Sequence, residues 1–268
     1  MATTAEYSVS FDNITDLINY STGEFSACGV SHEAGRPFFG TRNWEDMMKL
    51  FSAGYRDGLR EISSRVEVIE ANAQRVTSQY EKQETGILFD VAEVLEGTPE
   101  CWLNFTEEPV RDVVKMYVDI GMWSGITEDQ KLNRGAAIIS LVDQLSESGK
   151  IVELYATMSS EKMSSTDTLY TFIQCRINTQ PLDMDQLGFL FSHLSSTRRL
   201  FWAVREQLTK DPGVALRVRP AMYPNDHVAD GIFFPGLGYE SLHKFSTLER
   251  AVEEVQKEYS LYMKGRSN

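Results

Sequence analysis

The chain has 268 residues, 42% of them apolar and 24% charged, and a formal net charge of −13. That length can build a substantial core without disulfide or metal staples, and no run reaches the ~18 consecutive apolar residues of a membrane helix. The acidity disfavours a protein that coats duplex DNA, although a strand meets the local field rather than the net charge.

The opening MATTAEYSVSFDN has no basic n-region and no apolar h-region, which points away from secretion. Cys28, Cys101 and Cys175 are scattered without metal spacing and read as free thiols in a reducing cytoplasm. Residues 1–40 are polar and glycine-dotted. FDNITDLINY predicts a short helix capped by Asp12 or Asn13, and the following twenty residues read as loop with short strand pieces.

Helical spacing begins at TRNWEDMMKLFSAGYRDGLREI. Trp44, Met47, Met48, Phe51, Tyr55, Leu59 and Ile62 recur in steps of three and four, behind a cap at Thr41 or Asn43. SRVEVIEANAQRVTSQYEKQE predicts a second, more polar helix that ends near Gly86. A short helix at Val91–Leu95, a turn at Gly97–Pro99 and a strand into Phe105 follow.

VRDVVKMYVDIG is the most strand-like piece. NRGAAIISLVDQLSESGK is a strong helix with Ala136, Ile139, Val142 and Leu145 on one face and Gly149 as its stop. IVELYATM and TLYTFIQCRI read as strands, and MDQLGFLFSHLSSTRRLFWAVREQLTK as helix broken near Ser195. GVALRVRP and DGIFFPGL are short strands, and STLERAVEEVQKEYSLYMKG is a closing helix capped at Ser246 or Thr247. This order predicts an α/β fold: a mixed, mostly parallel sheet flanked by helices over residues 106–268, with residues 1–105 as a helical N-terminal appendage packed on it.

Asp119 stands where a strand meets a loop, a common place for a catalytic or metal-binding carboxylate. VDIGMWSG, followed by NRGAAIISLVDQLSESGKIVELYA, resembles the von Willebrand factor A-like fold over about residues 110–240. That resemblance implies a first strand ending in Asp-x-Ser-x-Ser, whose oxygens hold a hard divalent cation. Here Gly121 and Trp123 occupy the serine places, so the oxygen ligands are missing. The expectation is no metal, with Asp119 capping the next turn or pairing with a basic neighbour.

Other chemistry is sparse. His32, His193, His227 and His243 have no ligand spacing, and neither phosphate-loop nor dinucleotide glycine motif is present. The turn at Gly236 and Gly238 opens no helix, and Asp183–Asp185 read as a helix cap. No cofactor and no enzymatic activity are expected.

The charge reverses between Ser195 and Pro220. Arg198, Arg199, Arg205, Lys210, Arg217 and Arg219 face only two acids, Glu206 and Asp211, for a local net of +4. Helical steps put Arg198, Trp202 and Arg205 on one face, and strand alternation puts Arg217 with Arg219. Cations that track phosphates beside a ring that stacks on a base suit single-stranded DNA; an ordinary solvated face with Trp202 in the core is the plainer alternative. A milder basic line, Lys49, Arg56 and Arg60, is interleaved with acids.

DVAEVLEGTPECWLNF, RGAAIISLVDQLSESGKIVELY and LGFLFSHLSSTRRLFWAVRE together resemble a group of phage-encoded proteins. Within it the chain is similar to single-stranded-DNA-binding cofactors that recruit a phage RNA polymerase to melted promoters. The resemblance implies a non-enzymatic protein, cytoplasmic in an infected host cell, with single-stranded DNA and phage RNA polymerase as partners, no membrane partner, and scope for a homo-oligomer. The alternatives are a metal-independent protein-interaction module of a phage, and a hydrolase or nuclease with carboxylates clustered in a cleft.

Overall fold

A computed structural model describes residues 3–33, 35, 37–72, 81–83, 88–89, 102–104, 113–163, 167–179, 184–212, 214, 219–220 and 230–266. The chain opens with strand β1 (Thr3–Phe11), then helices α1 (Ile14–Ser21), α2 (Glu24–Ala27), α3 (Trp44–Ala53) and α4 (Arg56–Asn72). Short strands β2 (Glu81–Gln83), β3 (Leu88–Phe89) and β4 (Trp102–Asn104) form a small antiparallel sheet. Then come β5 (Val113–Asp119), α5 (Glu128–Glu147), β6 (Ile151–Met163), β7 (Asp167–Ile177) and α6 (Met184–Ser192). A π-helical turn (Ser196–Phe201) runs into α7 (Trp202–Thr209), followed by β8 (Arg219–Pro220), β9 (Ile232–Phe234) and α8 (Leu248–Arg266).

The main sheet has the order β1-β7-β6-β5-β9, with β8 against the far end of β6. β1 with β7, β5 with β6 and β5 with β9 are parallel, whereas β6 with β7 and β6 with β8 are antiparallel. The fold is therefore α/β, with a mixed, mostly parallel sheet and flanking helices. Period-two alternation sorts the strand residues. Val114, Met116 and Val118 of β5, Leu154 and Ala156 of β6, and Ile173 and Cys175 of β7 join the helices in one large core. Tyr117 and Phe172 point the other way and form a small cluster with Tyr155 and Phe233.

α5 is the central helix. Thr127 and Gln130 form a capping box at its start, and Gly149, at φ 80°, follows its end, where Lys150 N–H reaches Leu145 O at 3.0 Å. Every residue from Gln130 to Val142 is buried, charged ones included, so this helix is enclosed rather than two-faced.

Three expectations are corrected. Thr3–Phe11, given no element in the sequence reading, form β1 at the edge of the main sheet, so the N-terminal part is more than a helical appendage. Its own alternation, Ala5, Tyr7, Val9 and Phe11, carried the signal. The long helix from Trp44 to Ile62 is two helices, because Gly54 at φ 77° ends α3 in a backbone conformation open to glycine. The helix drawn to Gly86 does not reach it, because Glu81–Gln83 pair with Trp102–Asn104. The expected helix at Val91–Leu95 lies outside the described residues.

Candidate functional site

β5 delivers Asp119 to the carboxyl end of the sheet, where it is fully buried. One carboxylate oxygen accepts the Gly121 N–H at 2.7 Å; the other accepts the Ser159 N–H at 3.0 Å and the Ser159 hydroxyl. Burial pushes its pKa up, and these donors oppose that rise. Arg134 of α5 donates to the carbonyls of Asp119 (2.9 Å), Phe234 (3.1 Å) and Pro235 (2.7 Å), tying β5 to β9. A side chain at Gly236 would meet Gly121 O at 2.9 Å and Asp119 Oδ1 at 3.2 Å, so this close approach needs glycine. Both carboxylate oxygens are thus spent on protein donors, and Asp119 acts as a turn-holding residue. Among the described residues no group of three His, Cys, Asp or Glu is placed to hold a metal ion.

The basic strip is arranged differently from its sequence reading. Arg199 is fully buried. Its Nε donates to Thr41 Oγ1 at 2.7 Å, Nη1 to the carbonyls of Ser31 (2.8 Å) and Glu33 (3.0 Å), and Nη2 to Thr41 O at 2.7 Å, with the guanidinium 4.7 Å from the Phe39 ring. Arg198 is 4% exposed; it donates to Phe38 O at 2.7 Å and to Ser124 O at 3.5 Å, and lies 4.0 Å over the Phe38 ring. Arg205 is 3% exposed, and among the described residues its Nε has no hydrogen-bond partner. Burial lowers the pKa of Arg198 and of Arg205, each to about 10.

Trp202 is half-buried, 6.0 Å from the rings of both Phe38 and Phe39. Lys210 is exposed at the left-handed end of α7. Arg217 lies outside the described residues, and Arg219 enters β8 opposite Glu161. Arg198, Arg199, Trp202 and Arg205 therefore do not form a solvent-facing strip. The preceding loop takes these donors instead: the carbonyls of Ser31, Glu33, Phe38 and Thr41 accept from the two guanidinium groups. The π-helical turn also changes the angular spacing that the i, i+4 pattern assumes.

The rings that do reach solvent stand elsewhere. The loop after β5 and the loop after β9 are zipped together: Leu237 N–H donates to Gly121 O at 2.8 Å, and Trp123 N–H to Leu237 O at 2.7 Å. This brings Trp123 and Tyr239 edge-to-face at 5.2 Å, with 38% and 69% of their surfaces exposed. Arg198 links the same loop, through Ser124 O, to Phe38, itself 39% exposed. Phe38, Trp123 and Tyr239 are thus exposed rings at the carboxyl end of β5 and β9, backed by one buried guanidinium. Just ahead of α4, the Tyr55 hydroxyl donates to Glu128 at the start of α5 at 2.7 Å.

A model for a domain of unknown function, DUF7192, matches residues 1–261. The chain belongs to the DUF7192 family. No curated protein and no solved structure matches it. For this DUF7192 chain the sequence did place the exposed rings beside glycine-bearing turns: Trp123 lies in IGMWSG, and Tyr239 follows the glycines of FFPGLGYE.

Proposed function

We propose that this chain is a non-enzymatic single-stranded-DNA-binding protein that serves as a phage transcription cofactor and recruits a phage RNA polymerase in the cytoplasm of the infected cell. The observation that carries the DNA-binding part is the exposed trio Phe38, Trp123 and Tyr239. Stacking of bases on aromatic rings is tolerant of sequence and needs unpaired bases, which selects single strands over duplex. Arg56 and Arg60 on α4, and Lys49 on α3, 3.8 Å from Asp46, are exposed cations that a phosphate backbone could meet. The acidic remainder weakens indiscriminate duplex binding. The resemblance of the three quoted stretches supports the transcription role and the polymerase as partner.

The strand order β9-β5-β6-β7, with β7 antiparallel and Asp119 at the end of β5, supports the A-like reading of the core. Fluorescence anisotropy with labelled single-stranded and duplex oligonucleotides at two salt concentrations tests the function. Preference for the single strand, lost on replacing Trp123 and Tyr239, is the expected result; equal or stronger duplex binding would overturn it.

The second reading is a metal-independent protein-interaction module. It is favoured by the sealed Asp119 carboxylate, which leaves the rings as the contact chemistry of this end. It expects no oligonucleotide affinity at all.

A further inference from the structure

β1 runs nine residues, Thr3–Phe11, in unbroken parallel register with β7, from Thr3 opposite Asp167 to Phe11 opposite Cys175. Among the described residues no strand lies along its outer edge, because β1 ends the order of the main sheet. Edge strands are commonly guarded by proline, a bulge, lysine or brevity. TTAEYSVSF has no proline, lysine or arginine and a single charge, Glu6; its register has no bulge, and it is longer than a typical strand. Ala5, Glu6, Tyr7, Ser8 and Ser10 are exposed, so both faces of the strand are open to solvent along most of its length.

From this long edge with its single charge we infer that the chain forms a two-fold dimer in which β1 pairs antiparallel with β1 of a second copy, centred on Tyr7. The pairing is self-complementary in a way the sequence makes specific. Phe11 is buried in the main core and Val9 packs against it, so the odd residues face the helices and the even residues face away. Centred on Tyr7, an antiparallel ladder sets Tyr7 opposite Tyr7 and Ala5 opposite Val9 on the helical face. On the other face it sets Glu6 opposite Ser8. Apolar side chains meet apolar ones and no like charges meet, which is the arrangement that cross-strand pairs favour. A shift by one residue would oppose Tyr7 to Glu6 and place the two sets of helices on opposite faces of the joined sheet. Each strand offers the N–H and C=O groups of every other residue along that edge, so two copies satisfy one another. The inference rests on β1 alone, not on nucleic-acid binding.

Light scattering on the full chain tests it. The wild type is expected at twice the chain mass at micromolar concentration, and Tyr7→Lys, which sets two ammonium groups face to face, at the single mass with unchanged circular dichroism. In a Cys28→Ser background, Tyr7→Cys should cross-link to a dimer under mild oxidation, because directly opposed residues lie within disulfide reach. Glu6→Cys alone should not, while a mixture of Glu6→Cys and Ser8→Cys chains should. A monomeric wild type overturns the proposal, as does a Tyr7→Lys chain that still dimerises. Cross-linking by Glu6→Cys alone overturns the register.

Discussion

Arg198 lies 4.0 Å over the ring of Phe38 and donates to the carbonyl of the same residue at 2.7 Å, so one buried guanidinium fixes both the backbone and the ring of an exposed aromatic. A cation placed this way is not free to follow phosphates. It holds the loop at 38–39 so that the ring is presented, and it does the same to the Trp123 loop through Ser124 O. Arg198→Ala should therefore weaken single-strand binding without the change in salt slope expected of a lost phosphate contact. A slope that flattens by about one unit would return Arg198 to the DNA surface.

Arg199 makes the stability case more strongly. Its fork satisfies the carbonyls of Ser31, Glu33 and Thr41, which all lose these donors when the side chain is removed. Hydrogen bonds to charged groups contribute about 1.5–3 kcal/mol each and are not additive, so Arg199→Ala should cost on the order of 3 kcal/mol or more. Arg199→Lys should rescue little of this, because an ammonium cannot reproduce the fork. Urea unfolding of both variants decides it; a loss under about 1 kcal/mol would mean that the loop finds other donors.

The α/β core was legible in the sequence because its signals are local. The β5 run, a helix after it, Gly149 as its stop and the two strands that follow all appear in the fold, although α5 is enclosed rather than one-faced. The start of α5 lies at Glu128 rather than near Asn133, because the Thr127–Gln130 capping box precedes the apolar pattern. The site was less legible. Arginines at helical spacing look solvent-facing when buried carbonyls elsewhere in the chain cannot be seen; Arg199 meets residues more than 150 positions away. Trp123 and Tyr239 are brought together only by the pairing of two loops that no sequence period announces.

Ile139 is 2% exposed on the enclosed helix α5. Ile139→Ala removes buried methyl groups and leaves a cavity, so it should cost about 2–5 kcal/mol. Chemical denaturation measures this directly, and a change under about 0.5 kcal/mol would place the helix at the surface.

Two buried groups set opposing dependences of stability on pH. Glu206 is fully buried and accepts the N–H of Ser31 at 3.3 Å and the Ser31 hydroxyl at 2.5 Å; burial pushes its pKa from 4.5 up to about 7. The folded chain then holds a proton that the unfolded chain has released, so stability falls as pH rises from 4.5 to about 7. His193 is 6% exposed, and burial, with the nearby Lys131 ammonium, lowers its pKa from 6.5 to about 4. Its contribution has the opposite sign: the unfolded chain takes a proton first, so stability is lost as pH falls from 6.5 to about 4. Between pH 4.5 and 6.5 the two largely cancel in the wild type. Glu206→Gln keeps an acceptor for Ser31 but cannot titrate, so it should expose the histidine slope. Its stability relative to wild type should rise with pH across 4.5–7, by up to about 1.4 kcal/mol per pH unit. His193→Gln should do the reverse, gaining on the wild type as pH falls below 6.5. Urea melts of the three proteins at half-unit steps provide the comparison. A Glu206→Gln profile parallel to wild type over this window would mean that Glu206 is charged in the folded protein at pH 5 and that Ser31 and its neighbours hold the carboxylate against burial.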